Sequence, residues 1–436
     1  GLILPKRIQQ NYEIPQNEYG QELELKANEL FKDKEGAGTL KAIGELRKIA
    51  FSPFASKFNT RAVDYKQFVE ESPKIKTLMA LRGQNLKDNP NASQIVYVDA
   101  VGVGFLPSMR QYLIKEMGMK ADEVEIISGA TSQIKRPDIQ DRFNKGEIKV
   151  LLGSEAIKEG LNLQKNTTDL YILSLPWNFT QLRQVIGRVW RQGNNWKNIR
   201  INNLFIQDSI DIFLSQKLDN KQKRYEAALK SGDNVVDVGD VDYQELKFQL
   251  VKDPETRAKL EISAERERLD QLLDQQRAEL VFAKKKIGAA DELRDSIKTI
   301  ENFLEREKAR LKDAPADDID FLKGRIGKYE RDLATAQKKL ADHLEALKAR
   351  SLSEATLLAK VDELEASIKK MTEERAALES KFDERVKAIA ASMPEVTPFK
   401  DSIIAGFVAD RAEHNKTFYG MRAPEQDATI APSVEV

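Results

Sequence analysis

The chain has 436 residues, 41% hydrophobic and 32% charged, with 70 basic against 70 acidic side chains and a formal net charge of +0. That balance provides no global basic field for nucleic acid, so any such surface is local. The lack of cysteine excludes a disulfide scaffold, a thiolate metal site and a cysteine nucleophile, and no apolar run reaches the roughly 18 residues of a membrane span.

At about 150 residues per domain the length predicts two to four domains. Residues 1–71 read as a helical lead-in after the extended start "GLILPKRIQQNYEIP", with a loop at "EGAGT" (35–39). From 72 to 231 the texture changes. Strand-like runs "QIVYVD" (94–99), "EVEII" (123–127), "IKVLL" (148–152), "DLYILSL" (169–175) and "RINNLFI" (200–206) alternate with amphipathic helical stretches. This alternation predicts an α/β fold, a parallel sheet with helices on both faces. Ligands of such sheets gather at the carboxyl ends of the strands. Residues 232–255 read as a linker. From 256 to 392 a mostly apolar series recurs every seven positions, first Ile262, Leu269, Gln276, Ala283, Ala290, Ile297, Leu304 and Leu311, with polar Gln276 its exception, and after the break at "KDAPADD" (312–318) Ile326, Leu333, Leu340 and Leu347. Sustained heptads predict a long α-helical coiled-coil extension, most simply an antiparallel hairpin with a further segment starting near Ser353. Residues 393–436 predict a short helix and a flexible tail. His343 and His414 read as solvated surface residues.

Three stretches carry candidate chemistry. "QLRQVIGRVWRQGNNW" (181–196) places Arg188 and Arg191 three apart, a spacing that puts both on one helix face. "GSEAIKEGLNLQ" (153–164) follows a strand, with the small hydroxyl of Ser154 at the strand end and Gly160 permitting close backbone approach. "ISGATSQIKRPDIQDRFN" (127–144) places Gly129 at a strand end and Arg136 at a helix start.

Together these stretches resemble the C-terminal motor lobe of superfamily-two helicases and translocases, and most closely the Swi/Snf-like group. "QIVYVD" resembles that family's motif IV, "GSEAIKEGLNLQ" its motif V, and "PWN" followed by "QVIGRVWRQGN" its motif VI, with Gln184, Gly187, Arg188, Arg191 and Gly193 in register. The resemblance spans about residues 1–230 and implies a RecA-like lobe. Trp190 stands where the family usually has histidine, Asn194 where it often has glutamine, and Ile157 and Lys158 where it has small residues.

The resemblance implies that Arg188 and Arg191 reach the γ-phosphate of ATP held with Mg2+ by another lobe, where guanidinium forks complement charge on equatorial oxygens. It implies that Gln184, Gly160 and Gly187 serve the nucleotide interface. Ser154, Arg136, Lys158 and Asn178 would meet the backbone of double-stranded DNA, contacts without sequence information. No metal ligands are read in the chain itself. No G-x-x-x-x-G-K-[ST] occurs in the 436 residues. By family order that loop would precede "ILPKR" (3–7), so the chain is expected to be the C-terminal half of an ATP-dependent translocase, inactive as an ATPase alone. Its other lobe would lie in the same precursor or in a separate chain. Segments after residue 207 resemble those of large phage or mobile-element helicases, which implies a host-cytoplasmic or virion-packaged protein. A different expectation is a structural or cargo protein of a phage particle that keeps the lobe as a scaffold. A third is a nucleic-acid-binding module without chemistry. A partner for the coiled coil, or its self-association, is expected, and no membrane.

Overall fold

The computed structural model describes residues 4–32, 37–219, 250–350 and 352–421. Most of the expected 232–255 linker and the end of the expected tail lie outside these residues. The chain divides into two compact units. One comprises the residues up to Arg257 together with those from Ala391 onward, the other Ala258–Ala390.

The first unit is built on a six-stranded, wholly parallel sheet in the order β1-β6-β5-β2-β4-β3. Its strands are β1 (Lys6–Ile14), β2 (Ser93–Tyr97), β3 (Val124–Ile127), β4 (Val150–Gly153), β5 (Thr167–Ile172) and β6 (Asn198–Ile206). The five predicted strands are all present. The extended start, expected only to lead into helices, supplies a sixth, because β1 pairs along its whole length with β6 from Lys6 opposite Asn198 to Ile14 opposite Ile206. Every residue of β2, β4 and β5 is buried, the signature of a parallel sheet covered on both faces. The helices are α1 (Glu18–Asn28), α2 (Ala37–Phe51), α3 (Tyr65–Glu70), α4 (Pro73–Asp88), α5 (Leu106–Lys115), α6 (Lys135–Asn144), α7 (Phe179–Val189) and α8 (210–219). This is a RecA-like lobe.

The helical extension comes next, as α9 (Pro254–Lys312), α10 (Ile319–Lys348), α11 (Glu354–Ala377) and α12 (Phe382–Ser392). Ion pairs record the path of the chain. Lys308 meets Glu330, Arg294 meets Glu354, Lys360 meets Glu279, and Arg385 meets Glu265. Partner numbers rise along α10, α11 and α12 as those on α9 fall, so the three shorter helices return end to end along α9. The heptad seam lies between them: Ile262 and Leu269 pack with Leu378, and Ala283 with Leu347 and Leu357. These apolar contacts outweigh the exposed ion pairs, which are worth about 0–1 kcal/mol each.

The last helix, α13 (Asp401–Phe418), packs against α4 in the first unit and plants a charged residue in its core. Arg411 is 1% exposed and Arg200 and Asp169 are 0% exposed. Arg200 Nε donates to Asp169 Oδ1 at 2.8 Å and Arg411 Nη1 to the same oxygen at 3.3 Å. Arg411 also donates to Tyr12 Oη at 2.7 Å and to Asn202, and Asn202 Nδ2 donates to Asp169 at 3.1 Å. Burial alone would raise the Asp169 carboxyl, but Arg200 and Arg411 outweigh it and hold it below the ordinary aspartate value. His414 is not the solvated residue expected: its Nδ1 lies 2.8 Å from Arg200 Nη1 and 3.4 Å from Gln10 Nε2. Nor is His343, whose Nε2 is 3.2 Å from the Lys286 carbonyl oxygen.

The network makes stability sensitive to substitution and to pH. Asp169→Asn leaves two buried guanidiniums without their carboxylate, and is expected to cost about 3–5 kcal/mol, read as a lower urea midpoint. Burial, with Arg200 and Arg411 beside it, pushes His414 below its ordinary value; Asp169, also facing it, opposes this. The proton therefore binds the unfolded chain first. The stability this residue contributes is complete above about pH 6.5 and is lost as pH falls through the lower folded value. The urea midpoint is expected to drop between about pH 7 and pH 5, and His414→Gln to flatten that drop.

Candidate functional site

Helix α7 is set by its ends and one apolar stripe. Asn178 caps it, Oδ1 accepting from Thr180 N at 2.7 Å, so this predicted DNA contact is exposed but already serves the helix. Val185 and Val189, one turn apart, are fully buried. Gln184 is exposed and Arg188 half-buried, on the other side. The helix ends at Trp190, whose φ of −93° and ψ of 82° leave the helical region. Arg191 therefore lies beyond the helix, and the expectation that both arginines share one helix face is corrected. Residues 190–198 form a pinned loop. Trp190 Nε1 donates to the Pro5 carbonyl at 2.9 Å, with the Arg7 guanidinium 4.6 Å above its ring centroid. Gly193 turns the chain at φ +85°, a conformation that suits glycine. Asn194, fully buried, donates to Thr167 O at 3.0 Å and accepts from Trp196 N at 2.7 Å.

These anchors locate the arginines. Pro5 immediately precedes β1, Lys197 immediately precedes β6, and Asn162, which accepts from Arg191 Nη1, precedes β5. The loop therefore sits at the amino ends of the strands, not at the carboxyl ends where the sequence pattern places ligands. The carboxyl-end rim between β2 and β5 is filled from within. Arg47 bonds Asp99 and, at 2.8 Å, Leu175 O; its guanidinium lies 4.5 Å from the Trp177 ring centroid, and Ser174 Oγ donates to Asp99 at 2.8 Å. Lys74, 1% exposed, joins the same rim, donating to Leu173 O at 2.7 Å and to Asp211 at 2.6 Å. Nothing in the spacing of Arg47 or Lys74 marks them in the sequence.

The turn after β4 packs against α7. Ser154 is 4% exposed, its N–H donating to Ile127 O at 3.1 Å. Ile157 is fully buried against Gly153, where a Cβ would collide with its side chain. The bulky departure at 157 is thus matched by the glycine at 153. Lys158 pairs with Glu155 at 2.7 Å and Arg136, 6% exposed, with Glu159 at 2.6 Å. The resemblance places Ser154, Arg136 and Lys158 against a phosphodiester backbone. They are instead turned inward or paired, and any such contact by Arg136 or Lys158 first breaks an ion pair. Gly160, at φ +69°, Gly187 and Gly193 leave the opposite situation around the arginines, since a Cβ at any of them would meet nothing within 4 Å. Arg188 has no hydrogen bond or ion pair among the described residues.

Residues 74–193 match the family described as helicase conserved C-terminal domain. The lobe thus contains a stretch that matches the helicase conserved C-terminal domain. Over 169 residues the chain is 24% identical to Defense against restriction protein B of Escherichia phage P1, a match covering 38% of this chain and 8% of that protein. It is 30% identical over 108 residues to the uncharacterized ATP-dependent helicase YqhH of Bacillus subtilis, 25% of this chain and 19% of the helicase. The chain thus aligns with less than a fifth of either relative's length. The Sulfolobus solfataricus SWI2/SNF2 ATPase C-terminal domain superposes with a TM-score of 0.40 at 15% identity, covering 58% of this chain and 97% of that domain. Among the described residues no helix is long and apolar enough to cross a membrane.

The Gly153–Ile157 fit is testable by a double-mutant cycle. Gly153→Ala is expected to cost about 1–3 kcal/mol through overpacking. Adding Ile157→Ala should recover part of that loss, with a coupling of about 0.5–3 kcal/mol; strictly additive losses would contradict the fit.

Proposed function

We propose that the chain supplies the second lobe of an ATP-dependent translocase on double-stranded DNA, with Arg188 and Arg191 as its arginine fingers. The observation that carries this reading is Arg188. It is a half-buried cation without a partner among the described residues, beside Gly187 and in the same segment as the singly bonded Arg191. An unpaired guanidinium in that setting suits an incoming polyanion. ATP with Mg2+, held mainly by a first lobe, supplies the phosphoryl group. This chain's part is to place two guanidiniums where charge spreads during transfer, with Gln184 on the exposed side of α7 and Gly160 and Gly187 admitting the ligand close to the backbone. The resemblance in motifs IV, V and VI supports nucleic-acid backbone binding by the same lobe. Asn178 is the exposed candidate for it, and Lys158 and Arg136 are available once released from Glu155 and Glu159.

No phosphate-binding G-x-x-x-x-G-K-[ST] occurs in the 436 residues, so the purified chain is expected to release no phosphate from ATP, with or without duplex DNA. Joined to a lobe that carries such a loop, it should turn over. Arg188→Ala or Arg191→Ala should then lower kcat about a thousandfold or more. Arg191→Lys should not restore it, because an ammonium lacks the planar fork. Turnover by the isolated chain, or alanine variants as fast as the parent, would reject the assignment.

A further inference from the structure

The end of α13 bears directly on the arginine loop. Lys197 N donates to Gly420 O at 2.8 Å and Asn198 Nδ2 to Phe418 O at 2.6 Å. Trp196 pairs with Met421 as an isolated antiparallel bridge, and the Trp196 and Tyr419 rings meet edge-on at 5.9 Å. Phe418 lies over the Arg200 guanidinium at 3.8 Å and is 2% exposed. The loop 190–198 is thus fixed at its entrance by Trp190 on Pro5 and at its exit by Phe418–Met421. Between the two clamps lie Arg191, bonded among the described residues only to Asn162, and the turn at Gly193.

We infer that Phe418–Met421 is a positioning element for Arg191, and that Tyr419, through the Trp196 ring, is its principal contact. The inference rests on the arginine-finger reading. Arg191 sits outside the helix, so α7 alone does not set its direction, and a tight loop transmits the placement of one end to the other. The clamp is itself held in the lobe by Arg411, His414 and Asn415, all on α13. Helices α9 to α12 lie in sequence between the lobe and this clamp. The chain that leaves α12 at Ser392 enters α13 at Asp401, and the end of α13 makes the contacts on the loop bearing Arg191. Stabilisation of the fold alone would make no such demand on residues 191–198 in particular.

Hydrogen exchange on the full chain tests this, since amide protection reports local opening. Tyr419→Ala should raise exchange across 191–198 and leave 124–153 as in the parent, whereas Tyr419→Phe, which keeps the ring, should restore protection. The chain has no cysteine, so a Lys197→Cys, Gly420→Cys pair adds a single disulfide. Its oxidation should slow exchange across 191–198 below that of the parent, a readout that survives even where the alanine variant folds poorly. In the two-lobe assembly Tyr419→Ala should lower kcat roughly tenfold to a hundredfold at unchanged KM, and Tyr419→Phe should restore it. Exchange that rises only within 401–421, or a disulfide without effect on 191–198, would overturn the clamp. So would a loosened loop with unchanged kcat in an assembly where Arg191→Ala abolishes turnover. An assembly indifferent to Arg191→Ala would instead reject the arginine reading, and the exchange data alone would still decide whether the clamp exists.

Discussion

The lobe depends on one carboxylate. Asp169 lies in the middle of the sheet, fully buried, and accepts from Arg200 on the neighbouring strand and from Arg411 on a helix more than two hundred residues later. Two guanidiniums around one carboxylate leave an excess positive charge in the core. The shell of Tyr12, Tyr171, Asn85, Asn202 and Asn415 supplies the acceptors that make this tolerable. Such a network is weak evidence of net stability, since well-packed apolar residues do as well. Its value is that it has only one registration. An apolar seam between α13 and the sheet tolerates slippage; Arg411 has one position in which its donors find Asp169, Tyr12 and Asn202 together.

That registration extends to the site. The strand carrying Arg200 begins where the arginine loop ends, and the same α13 that brings Arg411 ends in Phe418 and Tyr419. The core charge network and the clamp on Trp196 are consecutive parts of one contact. The opposite rim shows the complementary arrangement. Arg47, Asp99, Ser174 and Trp177 satisfy one another at the carboxyl ends of β2 and β5, where an open α/β sheet usually takes its ligand. Arg188, without a hydrogen bond or ion pair among the described residues, lies instead near the end of α7, just ahead of the loop at the amino-end rim.

Much of this is legible in the residues. Strands buried on both faces read as continuous apolar runs, so the sequence predicts β2 to β6 with small errors at their ends. The strand β1 reads only as an extended start, because Lys6, Arg7, Gln9, Gln10 and Asn11 give it no apolar run. Its pairing is set by β6, nearly two hundred residues away. Motif spacing identifies the lobe and singles out Arg188, Arg191 and Gly160. It does not tell that Arg136 and Lys158 are ion-paired or that Ser154 is buried, because a motif states which residues occur and not which way they turn. Nor does it find Arg411 or Lys74: in sequence each is one more charge on an amphipathic helix, and only the sheet decides that it is buried.

The departures from the family pattern are of the same kind. Ile157 is bulky where small residues are usual, yet Gly153 has no side chain where Ile157 packs. Trp190 replaces a histidine, and its indole N–H finds the carbonyl ahead of β1 while Arg7 covers its face. Asn194 replaces a glutamine and closes the turn through Thr167 and Trp196. Each substitution is answered by a neighbour, four residues away for Ile157 and far off in sequence for Trp190 at Pro5 and Arg7. Read position by position these are mismatches; read in space, those at Trp190 and Asn194 are contacts that hold one loop, and that at Ile157 fills the turn after β4. The loop's geometry, rather than the identity of any one of these residues, is what places Arg191 beside Asn162.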